Sequence, residues 1–443
     1  MGRVVEELDA DEDEEMLERV AAIDVAKASG KVCVRVPGAK RRVTKVWDTA
    51  STTNAVMALG DELAEMGIER VVVESTSDYW RPFFYLLEAR GLRVWLVNAR
   101  DVKQVPGRPK TDRLDAVWLA KLNERGMLRA SFVPPRDIRE LRDYTRLRVE
   151  LTRERSRHKQ RIEKLLEDAL IKLSTVATDI FGKSGRAMLE ALIAGERDPQ
   201  ALAELALGKM RPKRPALVEA LTGRFDDHHA FLARMLLDEI ATLTVKIDQL
   251  TTRADQLIAK LPGAAPPHSA GPGDPDTLHA GLPVLDRLDE VPGIGLLAAQ
   301  VIIAEVGLNM AQFPTPAHLV SWTKLSPRTI QSGPRTRGGK VGKGNPYLRG
   351  ILGEVAAAAA KTDTFLGERY RRLVRRTGRQ KALVAVARSI LVIIWHLLAD
   401  PTARFIDLGA DYYDQRINKD RKTRNLIRQL QALGHQVTLN PAA

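Results

Sequence analysis

The sequence predicts an α/β domain followed by a mainly helical remainder. Three observations carry this. Short β-branched runs alternate with helical spacings over residues 19–137, two long heptad-like runs fill 138–261, and a Gly-punctuated apolar unit follows a Pro-rich linker.

Residues 1–18 read as a solvated acidic tail, since Glu6 to Glu18 carries nine carboxylates and little that could pack. Val20–Val25, Lys31–Val36 and Val43–Trp47 predict three short strands joined by turns at Ser29-Gly30 and Pro37-Gly38. Val56, Leu59 and Leu63 set a helical period over Thr53–Met66. Arg70–Glu74 (RVVVE) predicts a buried strand, Trp80–Arg90 a helix, Leu92–Val97 a strand and Lys110–Arg125 a helix.

Over 138–173, Leu141, Leu147, Leu151, Ile162, Leu165 and Leu166 stand among dense Arg, Lys and Glu. Over 231–261, Leu236, Leu243, Ile247, Leu250 and Leu257 recur at near-heptad spacing. Such runs predict an antiparallel helical pair or an intermolecular coiled coil, with 174–224 as a smaller helical insert. Residues 262–283 are a linker, 284–400 a further unit, and 401–443 a charged, peripheral tail.

The 443-residue chain holds 69 Lys and Arg against 56 Asp and Glu, a formal charge of +13. That excess favours a polyanionic partner through counterion release, although charge alone also fits a merely soluble basic protein. The single cysteine, Cys33, rules out an intrachain disulfide and argues against a Cys-ligated zinc. No signal-like segment is visible, and the apolar stretch Ser389–Ala399 is short for a bilayer span. The expectation is a cytoplasmic protein without a membrane partner, this stretch being a buried helix.

Four carboxylates fall where strand ends and a helix start would gather them. Asp24 ends the first strand and Glu74 ends RVVVE, while Asp112 and Asp115 share one helix face in KTDRLDA. Singly, each is more simply a cap or a surface charge. Together they suit Mg²⁺, with Mn²⁺ as the alternative, because hard cations take carboxylate oxygens and can activate phosphodiester chemistry.

In the distal unit, Val-Pro-Gly-Ile-Gly precedes an apolar helix, as in helix-hairpin-helix turns where Gly293 and Gly295 would admit a phosphate. A tight turn between core helices is the plainer reading. Arg335, Arg337, Lys340 and Lys343 then interleave with glycines in what reads as a flexible basic loop. Ser332, before Gly333, reads as a turn residue on its own. A second cluster holds Arg369, Arg371, Arg372, Arg375, Arg376, Arg379 and Lys381, with Glu368 as the one nearby carboxylate. It fits phosphate contacts better than a solvated face.

Together these segments resemble the insertion-sequence one-ten family of transposases, also described as bridge-RNA-guided recombinases. IDVAK, VVVEST, KTDRLDA and the VPGIG…SWTKLSPR…QSG…GKGNPYLRGIL block carry the resemblance, over most of residues 19–400. It implies a RuvC-like, RNase H-type domain at 19–137 whose Asp24, Glu74, Asp112 and Asp115 (the DEDD set) bind Mg²⁺. It further implies a coiled-coil region at 138–261 and a small transposase domain at 284–400. In that family a distal serine attacks DNA to form a phosphoserine link, and the carboxylates are supplied across a protomer interface. Ser332 is the matching position, with Ser326 and Ser321 nearby. The implied partners are double-stranded donor and target DNA, a structured noncoding bridge RNA, and further copies of the chain in a dimer or tetramer. The setting implied is prokaryotic cytoplasm, nucleoid-associated when active.

Two rival readings stay open at this point. One is a hydrolytic RuvC-like junction resolvase in which water attacks and Ser332 is structural. The other is a non-catalytic nucleic-acid-binding architectural protein.

Overall fold

Alternation of apolar residues at the N-terminal end builds a mixed five-stranded sheet. Strand β1 (Val20–Val25) pairs antiparallel with β2 (Ser29–Val36), which pairs antiparallel with β3 (Val43–Ala50). After helix α1 (Thr53–Glu65), β4 (Arg70–Glu74) lies parallel to β1. After α2 (Trp80–Ala89), β5 (Val94–Val97) lies parallel to β4. The strand order is β3-β2-β1-β4-β5, a mixed sheet consistent with an RNase H-like layer. The computed structural model describes residues 16–74, 77–98, 112–265, 282–326, 329–333, 335–339, 342–416 and 419–439. Most of the acidic tail, Lys340 and linker residues 266–281 therefore lie outside the described residues, and Asp112, Ser332 and Arg337 are described by backbone alone.

Strand side chains point alternately to the two faces, so each face has its own core. Ala21, Ile23, Val25, Val71 and Val73 pack with Val56, Leu59, Leu63, Phe83 and Leu87 of α1 and α2. Ala22, Cys33, Val72 and Val97 pack with Ala116, Leu119 and Ala120 of α3 (Asp112–Glu124). Burial pushes the Cys33 thiol up to about 11, so it stays an inert, protonated core group. The turn expected at Ser29-Gly30 lies instead at residues 26–28, closed by Ala26 N–H to Ser29 O at 2.8 Å. Gly30 belongs to β2 because the neighbouring space is filled: a Cβ there would stand 2.7 Å from Phe83 Cζ and 2.8 Å from Ile23 Cγ2.

The chain divides into two units, Met1–Pro134 and Pro135–Ala443. The second opens with α4 (Arg136–Asp168), followed by the insert helices α5 (Leu173–Val176), α6 (Lys183–Ile193), α7 (Pro199–Glu204) and α8 (Arg214–Leu221), then α9 (Asp227–Ile258). Helices α4 and α9 pack side by side and antiparallel. Arg148 bonds Thr251 at 3.4 Å, Arg155 bonds Thr244 at 3.2 Å, and Asp168 meets His229 at 3.2 Å. Their seam buries Leu141, Ile162, Leu166, Leu237, Ile240, Leu243 and Ile247. The expected seam residue Leu147 instead faces solvent.

Beyond the linker come α10 (Val284–Asp289), α11 (Leu296–Val306), α12 (Pro316–Trp322), an antiparallel hairpin β6 (Thr329–Ser332) and β7 (Arg335–Gly338), α13 (Pro346–Ala359), α14 (Phe365–Thr377) and α15 (Arg379–Ala399). The hairpin replaces the first part of the flexible loop expected at 333–344. Helix α15 is longer than the apolar stretch at its end and has the length and composition to cross a membrane. Here it is the core helix of the unit, packed against α12, α13 and α14, with Trp395 Nε1 donating to Phe313 O at 2.7 Å.

The stretch after residue 400 is not peripheral throughout. Arg404 and the Phe405 amide bond Glu290, and Arg287 reaches the carbonyls of Leu397 and Asp400. Tyr413, in α16 (Tyr412–Gln415), stacks on Phe365. Helix α17 (Lys419–Ala432) carries further exposed charge, including Arg421, Lys422 and Arg428.

Replacing Gly30 with Ala is expected to destabilise the protein by roughly 1–3 kcal/mol through overpacking. An unchanged urea midpoint for Gly30→Ala would show that Phe83 and Ile23 yield freely.

Candidate functional site

The parallel register of β1 and β4 ends at Ile23 beside Val73. The next residue on each strand is Asp24 and Glu74, so two carboxylates stand at adjacent carboxyl ends on the face that α3 covers. Glu74 is buried and pairs in register with Val97 of β5, while Asp24 is half-buried. From β1 the chain proceeds to one side of the sheet, and from β4 to the other. Asp24 and Glu74 thus flank the crevice where strand order reverses, the usual ligand position in open α/β sheets.

Helix α3 brings the other two. Its C-terminal end is locked to the start of the strands by a buried pair. Arg70 Nε donates to Asn123 Oδ1 at 2.7 Å and Nη2 to Asn123 O at 2.9 Å. Asn123 Nδ2 in turn donates to Ala21 O at 3.1 Å and Arg70 O at 3.2 Å. Arg70 is also stacked on Trp95, with 3.9 Å to the ring centroid. Arg35 and Arg42 hold the adjacent Glu124 at 2.6 and 3.0 Å.

From that anchor α3 runs back over β1 and β2, with β4 at its margin. Asn123 to Asp115 covers about 12 Å of helix, and Arg70 to Glu74 covers about 13 Å of strand. Asp115 therefore arrives toward the carboxyl ends of β1 and β4. It is half-buried and precedes Leu119 by one helical turn on the sheet-facing stripe. Asp112 begins the helix one turn earlier. The fold places the backbones of all four expected carboxylate residues at one end of one sheet face. Arg70 and Asn123 were not anticipated, although an Arg opening an apolar strand and an Asn in an apolar helix stripe are legible signals.

Among the described residues, Asp168, His228 and His229 form a different cluster, with ligand-type atoms all within 4.8 Å of one another. His229 Nδ1 accepts the Asp226 amide at 3.1 Å in the capping box that starts α9. The ring proton is then on Nε2, facing Asp168 Oδ2. A cation at Nε2 would require that proton on Nδ1, against another N–H. The cluster fastens one end of the helical pair and is poorly suited to an ion.

The distal expectations separate. Gly293 has φ 91°, and a Cβ there would stand 2.5 Å from Val355 O. Its lack of a side chain serves helix packing rather than phosphate approach. Gly295 caps α11 and faces open space, beside exposed Leu296 and Leu297. Ser332 closes β6 and is the cross-strand partner of Arg335, with Gly333 at φ 58° starting the two-residue connection. Ser321 lies on α12, and Ser326 follows it before the hairpin. Arg335 and Lys343 are exposed.

The arginine cluster is less uniform than its sequence suggests. Arg371 is paired with Glu368 at 2.9 Å and Asp363 at 3.3 Å, so a second carboxylate is nearby. Arg369 donates to Tyr413 Oη at 3.0 Å, and Arg372 lies over the same ring at 4.2 Å. Arg375 and Arg376, in the last turn of α14, are exposed, as are Arg379 and Lys381.

Two family models match this chain. The DEDD model of IS110, described as a transposase, matches residues 21–171, and the model described as the IS116/IS110/IS902 transposase family matches 285–371. A curated relative, the insertion element IS110 uncharacterized 43.6 kDa protein of Streptomyces coelicolor, is 25% identical over 378 residues. That alignment covers 83% of this chain and 88% of the relative.

Gly293→Ala is expected to lower stability by roughly 1–3 kcal/mol, from strain at positive φ and contact with α13. Gly295→Ala should leave the unfolding midpoint within about 0.5 kcal/mol of the parent, as for substitutions away from packed features. Equal losses at both positions would contradict this division of roles.

Proposed function

The chain belongs to the IS110 family of transposases, and from this we propose that it cuts and rejoins double-stranded DNA through a Ser332 adduct, with Asp24, Glu74, Asp112 and Asp115 as its metal-holding carboxylates. The observation that supports the carboxylate part of the reading is Asp24 and Glu74 at the β1/β4 switch point, with the helix that carries Asp112 and Asp115 locked by Arg70 and Asn123; Ser332 rests on the family resemblance. Family membership makes the chain a DNA-cleaving and rejoining enzyme; the residues and partners named here extend that.

The donor set fits Mg²⁺ or Mn²⁺, being oxygen-only at a partly buried strand-end crevice. Bound there, a divalent ion would neutralise charge on the scissile phosphate and orient it. Glu74, held by strand pairing to β5, supplies a more enclosed carboxylate than Asp24 or Asp115, and Asp115 approaches from the helix.

Ser332 Oγ attacks the phosphorus, forming one serine–phosphate ester as one phosphorus–oxygen bond of the DNA breaks. The serine proton passes to solvent or to the departing deoxyribose oxygen. A second DNA hydroxyl then displaces Ser332, so the number of phosphodiesters is conserved. Arg335, across the hairpin from Ser332, and Lys343 supply positive charge beside the phosphate. Gly295, Arg337, Lys340 and the α14 arginines 371, 372, 375 and 376 contact nucleic-acid backbone.

Reading of target sequence falls to a structured bridge RNA, leaving the protein to bind shape and phosphate. Assembly into a dimer or tetramer uses the exposed apolar side chains of the helical pair, among them Leu147, Phe231, Leu232, Met235 and Val245. The carboxylates and the serine that act together come from different protomers, as the family resemblance implies.

Glu74→Gln and Asp115→Asn should keep the fold, weaken Mn²⁺ binding by about 10-fold or more, and abolish strand exchange. Tight binding by either folded variant, measured calorimetrically, would refute the metal assignment. Ser332→Ala should bind DNA and RNA normally yet leave no protein-linked label after denaturation, whereas Ser321→Ala and Ser326→Ala retain the adduct. An adduct that persists in Ser332→Ala removes it as nucleophile, and cleavage with no adduct in the parent protein indicates hydrolysis.

A further inference from the structure

Glu305 of α11 has a fully enclosed side chain, at 0% exposure, and donors from two other elements converge on it. Arg146 of α4 makes two parallel bonds, Nε to Oε1 and Nη2 to Oε2, both 2.8 Å. Arg142 Nε lies 3.4 Å from Oε2 and donates to Ala304 O, while its Nη2 donates to Glu305 O. Asn345 Nδ2 donates to Oε2 at 2.5 Å. Such a carboxylate is fixed in place, because any shift leaves buried charge unpaired.

Asn345 is held at both ends. Its Oδ1 caps α13, accepting the amides of Tyr347 at 3.0 Å and Leu348 at 3.2 Å. Reversing the amide would set Oδ1 against the Glu305 carboxylate, so the orientation is determined. Arg146 lies over the Tyr347 ring at 4.8 Å, and Tyr347 Oη donates to Glu150 Oε1 at 3.2 Å.

The same residues close the base of the segment that carries the β6–β7 hairpin. Arg349 Nη1 donates to Gly342 O at 2.7 Å. Gly344 passes Thr323 so closely that a Cβ would stand 2.2 Å from its carbonyl oxygen, and Gly342 rests on the Lys324 side chain. Thr323 and Lys324 lead into the segment, while Gly342 to Asn345 lead out of it. Its two limbs are thus joined at the base, and the outgoing limb is clamped to α4 through Glu305.

We propose that Glu305 is a positioning residue for the hairpin: acting through Asn345, it makes the long helix α4 the reference against which Ser332 is aimed. The inference rests on the transposase reading and adds to it. Glu305 touches no substrate and does no chemistry; it transmits the orientation of the helical pair to the reactive segment.

A polarity swap in the full-length protein tests this. Glu305→Gln removes the charge opposite Arg146 and, because Asn345 and Arg146 Nη2 both donate at the Oε2 position, sets its amide donor against Arg146 Nε, loosening the clamp. Asn345→Asp preserves the cap but opposes two carboxylates. Combined, the amide at 305 donates to the carboxylate at 345, which restores the link, while Arg146 Nη2 loses its acceptor, so rescue is partial. Asn345→Ser, which keeps a capping oxygen and loses only the link, serves as a milder variant.

Each single variant should accelerate amide hydrogen exchange in residues 329–339. Each should also slow strand exchange at saturating DNA by about tenfold or more with unchanged DNA affinity, and the double variant should recover both in part, beyond the sum of the single effects. Hairpin exchange like the parent's in folded single variants overturns the proposal, and so does a double variant no better than additive. Hairpin exchange that is perturbed and rescued without any change in strand exchange supports the clamp while counting against the hairpin as the reactive element, so the two readings fail separately.

Discussion

A buried charge must be paired, and in each unit that requirement sets the register on which the rest depends. In the first unit the charge is Arg70, which is 1% exposed and has its guanidinium shared between Asn123 and the face of Trp95. In the second it is Glu305, enclosed by arginines of α4 and the amide of Asn345. Apolar packing is tolerant of small slides, since one methyl group substitutes for another. A buried ion is not, because a slide of an ångström forfeits hydrogen bonds that water cannot replace.

This explains how a small α/β layer can bring Asp24, Glu74 and Asp115 to one end of one sheet face with little dedicated architecture. Strand pairing alone fixes Asp24 beside Glu74. The helix that must join them could pack on Ala22, Val72 and Val97 at several heights, because its own face is Ala116, Leu119 and Ala120. Arg70 and Asn123 select one height, and that height brings Asp115 toward the carboxyl ends of β1 and β4. The height of Asp115 is set from the opposite end of the helix.

The distal unit shows the complementary arrangement, with its hairpin held at the base. Gly342 and Gly344 matter through what lies against them, and Gly293 through the backbone of α13. Gly293 and Gly344 are places where two segments of the chain pass too closely for a Cβ. The docked stretch around Glu290, Arg404, Phe365 and Tyr413 reaches the same unit through aromatic stacking and ion pairs that span more than forty residues. Contacts of that range leave no periodic trace.

The sequence by itself determined the elements and their order, because periods of two and 3.6 residues and β-branched runs act locally. Strands at Val20–Val25 and Arg70–Glu74, with Asp24 and Glu74 at their carboxyl ends, and the paired long helices are legible in this way. Tertiary structure alone decided which apolar positions face a neighbour, so Leu237 is enclosed where Leu147 is not. It also decided the start of β2, since the reason for Gly30 is a ring fifty-three positions away. Above all it decided the roles of Arg70, Asn123, Glu305 and Asn345. Each is an ordinary polar residue until folding removes water from around it, and only then does pairing with one distant partner become obligatory.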